Sequence, residues 1–206
     1  MRWDQVPYPS GVVPGREITK LYMMGGIEVF GSPTSLLYRA DIVRRHPRFF
    51  PNDGIHSDTS ACCMTLLQSD YAFVHQVLSY ERVHCIRTTT SCLSLNSYLS
   101  GHLSDVLEYG ASCLTPDERQ QAIGRLLHRY YDFLAISALK FRGREFWTYH
   151  IRRLRELGYP LNRVRLTMVI GKTLCGVLLN PMHASHLAAR CFAALRRRTH
   201  FSGQAV

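Results

Sequence analysis

The chain has 206 residues, 46% apolar and 19% charged, which excludes a disordered segment and suffices for one domain with a core, or one domain with a helical appendage. Its net charge of +10 favours phosphate-bearing partners: nucleic acid, anionic membrane or nucleotide substrates. No apolar run reaches the roughly 18 residues of a membrane span, and seven cysteines without a C-x-x-C pair read as reduced core thiols of a cytosolic protein.

Residues 1–20 are broken by Pro7, Pro9, Gly11, Pro14 and Gly15 and read as an extended lead-in, one that looks like the middle of a protein. Met1-Arg2-Trp3-Asp4 does not open a signal peptide. Ile27 to Phe30 reads as a short strand, Gly31-Ser32-Pro33-Thr34 as a tight turn, and Ser35 to Tyr38 as extended chain again. Asp41 caps a short helix that ends near His46, because Pro47 disfavours helical geometry before it. A loop from Arg48 to Ser57 leads into an apolar helix over 58–69, too oily for a surface element. Residues 71–78 read as a covered strand, apolar on both faces.

Beyond about residue 92 the period turns helical. Ser94 caps a helix with Leu95, Tyr98, Leu99, His102, Leu103, Val106 and Leu107 on one side, and Gly110 stops it. Thr115-Pro116-Asp117-Glu118 is a capping-box start. The stripe that follows is Ile123, Leu126, Leu127, Tyr130, Phe133 and Leu134. Further helices are expected over 146–157, stopped by Gly158, from Arg163 to before Asn180, and over 185–198. The domain plan is therefore a lead-in over 1–20, an α/β portion over 21–92, a helical region over 93–200 and a tail over 201–206.

The candidate chemistry centres on His56-Ser57-Asp58, delivered to a helix mouth. Asp58 has a plain role as helix cap and a functional one as general base; the two are compatible, since a helix N-terminus favours the negative charge a base needs. The order of features around it resembles the second half of family 2 glycosyltransferases of the GT-A fold. Those features are the Gly31–Thr34 turn, Arg39-Ala40-Asp41, Phe49-Phe50 before His56-Ser57-Asp58, a Leu66-Leu67 helix end, and Tyr80-Glu81-Arg82-Val83-His84.

That resemblance implies a partial GT-A-type mixed sheet followed by an all-α C-terminal region. It implies inverting transfer of a sugar from a nucleotide-sugar to a carbohydrate or lipid-linked acceptor hydroxyl, with Asp58 as catalytic base. Ser57 stands where the family has a Glu. His84 takes the place of a metal and diphosphate contact, and Arg82 and Arg87 meet phosphate charge. The turn from Gly31 to Thr34 lines the donor–acceptor pocket, and Thr34, Phe50 and His56 are candidates for its acceptor side. A divalent Mn or Mg ion is implied for the complete enzyme. None of the eight aspartates are two apart, so there is no D-x-D metal motif, and no Gly-rich phosphate loop occurs. The expectation is a portion lacking the nucleotide-binding half, inactive alone, whose other half is encoded upstream or as a separate chain.

Zinc binding by His56, Asp58, Cys62, His84 and Cys85 matches no standard spacing. The alternative function is a non-catalytic basic module that binds nucleic acid or an anionic membrane surface. The resemblance also leaves room for peripheral membrane contact through the C-terminal basic helices, at the inner face of the membrane of a cytoplasmic protein.

Overall fold

The computed structural model describes residues 11–26, 30–31, 33–51, 56–78, 80 and 95–178. Among these the protein is mostly helical, with one two-stranded sheet. Its contacts divide it into two compact units, one of residues 1–130 and 143–160, the other of 131–142 and 161–206.

In the first unit, β1 (Val12–Val13) leads straight into α1 (Gly15–Met23). Gly15, Ile18, Thr19 and Met23 are buried, with Tyr22 part-buried beside them. Their spacing of three and four residues makes one helix face. Gly15 is required where it stands, since a Cβ there would overlap the backbone carbonyl oxygens of Leu66 and Ser69. A short helix α2 (Ala40–Arg45) buries Ile42, and Asp41 in its first turn pairs with Arg39 and Arg45.

Helix α3 (Ser57–Leu66) buries Ser60, Ala61, Cys62, Cys63, Thr65 and Leu66, so almost no side of it meets water. It packs on α1 and on α4 (Tyr98–Tyr109). Helix α5 (Pro116–Leu139) starts at the expected capping box: the Thr115 N–H donates to Glu118 Oε2 at 3.0 Å and the Glu118 N–H to Thr115 Oγ1 at 3.3 Å. Glu118 also pairs with Lys20 of α1 at 2.6 Å. Ile123, Leu126, Tyr130 and Leu134 of the expected stripe are buried, whereas Leu127 and Phe133 are half-buried. Helix α6 (Arg144–Glu156) packs on α4 and ends at Gly158, whose φ of 82° is the left-handed conformation that stops a helix.

In the second unit, α7 (Arg163–Leu178) is capped by Asn162, whose Oδ1 accepts the Arg165 N–H at 3.0 Å. The Asn162 N–H donates to the buried Tyr131 hydroxyl at 2.8 Å, and the Arg165 guanidinium lies 4.3 Å from the Tyr131 ring centre.

Four expectations change. The lead-in is not extended to residue 20, because α1 begins at Gly15 and supplies core. The strand over 71–78 reduces to β2 (Tyr71–Ala72), which pairs antiparallel with β1 as Val12↔Ala72 and Val13↔Tyr71. It shares no sheet with residues 33–38, where Pro33–Ser35 form a single 3-10 turn. Beyond Ala72 no described strand runs alongside, and Val74, Val77 and Leu78 are 48%, 65% and 72% exposed instead of covered. The expected mixed sheet is thus only this two-residue ladder among the described residues.

The helix read from Ser94 begins at Tyr98, behind Ser97, and its buried face is Ser100, Gly101, Leu103, Asp105, Val106 and Tyr109. Small polar residues let neighbouring elements approach, so this face is rotated from the one that apolar counting marks. The strand at 27–29 and the helix over 185–198 lie outside the described residues.

Candidate functional site

Helix α3 begins at Ser57, one residue before the expected start, so Asp58 sits within the first turn and His56 takes the cap position. His56 makes no side-chain cap bond. Asp58 Oδ1 accepts the Thr59 N–H at 2.8 Å, and its carboxylate is half-buried. Cys62 follows Asp58 by four residues and so shares its side of the helix.

Cys62 lines a hollow of about 830 Å³ whose walls include Gly31, Thr34, Tyr38, Ile42 and Tyr71. The Tyr38 hydroxyl and the Cys62 thiol share a hydrogen bond at 3.0 Å. Phe49 packs edge-on against Tyr38 at 4.9 Å, and the half-exposed Phe50 packs edge-on against Phe49 at 5.3 Å. An aromatic file therefore leads from the surface to the hollow.

Burial pushes the Tyr38 hydroxyl well above its ordinary pKa, and its bond to Cys62 and the negative charge of Asp58 push the same way. Burial also raises the Cys62 thiol to about 11, against the lowering effect of the Tyr38 bond. A thiol held protonated is no nucleophile. Tyr38 and Cys62 are thus neutral polar groups, and Asp58 is the carboxylate within electrostatic reach of both.

Of the expected site residues, Gly31 and Thr34 share this hollow, and Phe50 joins it through the aromatic file. His56 turns elsewhere. Its Nε2 lies 3.1 Å from Ser97 Oγ, and its ring packs against Tyr98 at 5.0 Å and under Gly101 of α4. Burial lowers its pKa, with the Asp58 charge opposing. Its contacts fix α3 against α4. Arg82, His84 and Arg87 lie outside the described residues. Among the described residues no group of three or more His, Cys, Asp or Glu side chains is placed to hold a metal ion.

Asp105 escaped the sequence reading altogether. Its carboxylate is 1% exposed, between α1, α3 and α4, and accepts from Ser60 Oγ at 2.7 Å and from the Tyr22 hydroxyl at 3.1 Å. Burial raises its pKa to about 7, while the two hydrogen bonds pull it down. The available signal was a carboxylate one residue ahead of Val106 and two after Leu103, both fully buried.

No family model, curated protein or solved structure matches the chain. No helix among the described residues is long and apolar enough to cross a membrane.

Proposed function

We propose that this chain carries the acceptor side of an inverting glycosyltransferase of the GT-A type, with Asp58 as general base. One observation carries the reading. Asp58 stands one helical turn before Cys62, and Cys62 lines a hollow of about 830 Å³ together with Gly31 and Thr34, two residues of the turn that the family resemblance assigns to the donor–acceptor pocket. In the proposed reaction Asp58 takes the proton of an acceptor hydroxyl. The hydroxyl oxygen attacks the anomeric carbon of the donor sugar from the face opposite its diphosphate. The bond from that carbon to the diphosphate oxygen breaks, and the nucleoside diphosphate leaves with the electron pair. Phe50 and Phe49 offer ring faces to a sugar at the entrance, and Tyr38 offers a neutral hydroxyl inside.

Saturation-transfer NMR of the purified chain with a panel of mono- and oligosaccharides tests the acceptor side without turnover. Sugar protons are expected to receive saturation, and Asp58→Asn to weaken that contact several-fold. In any preparation that does turn over, Asp58→Asn lowers kcat by about 10²- to 10⁴-fold with little change in KM, as for loss of a general base. Absence of carbohydrate contact across the panel overturns the reading.

A further inference from the structure

Helix α7 is apolar on more of its surface than its packing uses. Leu166, Val169, Ile170 and Thr173 are half-buried and form one side. Val164, Met168, Gly171 and Cys175 follow one another at spacings of four, three and four, so they form a second stripe on the other side. All four are exposed, Val164 at 68% and Met168 at 64%. A helix apolar on opposite sides is ordinarily covered on both.

Charge says what covers this one. The last acidic side chain in the sequence is Glu156; residues 157–206 contain seven arginines and lysines and no Asp or Glu. Within α7, Lys172 is exposed beside Met168 and Cys175, and Arg163 is exposed at the helix start. A second copy would bring like charge against like charge. An anionic bilayer instead takes the apolar stripe into its acyl boundary and meets the cations with headgroup phosphates, the lysine stem lying along the apolar surface. Such a two-faced basic helix suits a position in the membrane interface, its apolar stripe at the acyl boundary and its cations among the headgroups.

We propose that the Val164–Met168–Cys175 face of α7 docks on an anionic lipid surface, with Lys172 and Arg163 at its rim. The proposal does not depend on the glycosyltransferase reading.

Co-sedimentation of the full chain with vesicles of phosphatidylcholine alone, and of phosphatidylcholine mixed with phosphatidylglycerol, tests it. Partition is expected to be at least about tenfold stronger on the anionic vesicles and to fall with added salt. Met168→Glu and, independently, Val164→Glu should each reduce it by about tenfold, because a carboxylate enters the docked face. Both positions are exposed, so the far-ultraviolet circular dichroism of each variant should match the wild type. Equal partition on the two vesicle types overturns the proposal, as does binding that Met168→Glu and Val164→Glu leave unchanged. A dimer in analytical ultracentrifugation that Met168→Glu dissociates, with no vesicle binding by the wild type, overturns it in favour of a second copy of the chain.

Discussion

Single atoms decide the sign of two chemically identical substitutions. A Cβ on Gly101 would overlap the His56 ring, and that ring is held by Ser97 and Tyr98, so it has little room to yield. Overpacking of this kind costs about 1–3 kcal/mol, against the ~1 kcal/mol by which Ala exceeds Gly as a helix former. The clash wins, and Gly101→Ala should lower stability. Gly124 in α5 is exposed and has nothing within 4 Å of its would-be Cβ. There the propensity term acts alone, and Gly124→Ala should raise stability by about 0.5–1 kcal/mol. Urea denaturation of the two variants in parallel checks this; shifts of the same sign would contradict the packing at Gly101. Asp58 was visible in the sequence because a carboxylate between a turn-rich loop and an apolar run stands where a helix cap or a base belongs. Asp105 was not, since its meaning comes from Tyr22 and Ser60, residues 83 and 45 positions away.

At the scale of elements, legibility followed how local each signal is. The α5 capping box needs only Thr115 and Glu118, three residues apart, and was legible. The Gly158 stop and the start of α7 at Arg163 were legible for the same reason. The strand over 71–78 was not. Its composition is that of a covered strand, but a strand exists only beside a partner, and β1 offers two residues. Helix α1 was hidden behind a run of Pro and Gly that read as turns, although Gly15 is there to admit the Leu66 and Ser69 carbonyls. Since the capping box also positions Glu118 for Lys20, Thr115→Ala should do two things. It removes the acceptor of the Glu118 N–H, at a cost of about 1 kcal/mol. It also loosens the α5–α1 pair, so hydrogen exchange should rise at the first turn of α5 and around Lys20. A rise confined to α5 would show that the salt bridge stands without the cap.

For the molecule as a whole, the pH dependence of stability is set by groups of opposite sense. His102 and His150 are buried enough to bring their pKa values down to about 4 from the ordinary 6.5. His150 donates from Nε2 to the Leu95 carbonyl at 2.7 Å and accepts from the Tyr130 hydroxyl at Nδ1, also at 2.7 Å. Both histidines stay neutral in the fold while the unfolded chain takes up protons, so their contribution is present above about pH 6.5 and lost as pH falls toward 4. Asp105 runs the other way. Protonated up to about pH 7 in the fold and ionised above about 4 in the unfolded chain, it favours folding less and less as pH rises between those values. These two histidines, with His56 shifted in the same sense, outweigh one carboxyl as pH rises from about 4 toward 6.5, so stability rises with pH there and the gain fades as the unfolded-state histidines lose their protons. Asp105→Asn should steepen the rise of stability with pH between about 4 and 6.5. Urea midpoints measured from pH 4 to 8 check this, and an Asp105→Asn profile parallel to the wild type would remove Asp105 from this account.

The Tyr22–Asp105 bond also has a consequence for how the chain reaches its fold. It closes a loop of 83 positions, and Lys20 waits for Glu118 still further on. Helix α1 thus takes two of its partners, Asp105 and Glu118, from far along the chain of its unit. Closing so long a loop costs entropy before any contact repays it. The pairing of α4, α5 and α6, which are neighbours in sequence, should therefore form early. The docking of α1 should come late, and late-forming contacts set the unfolding rate more than the folding rate.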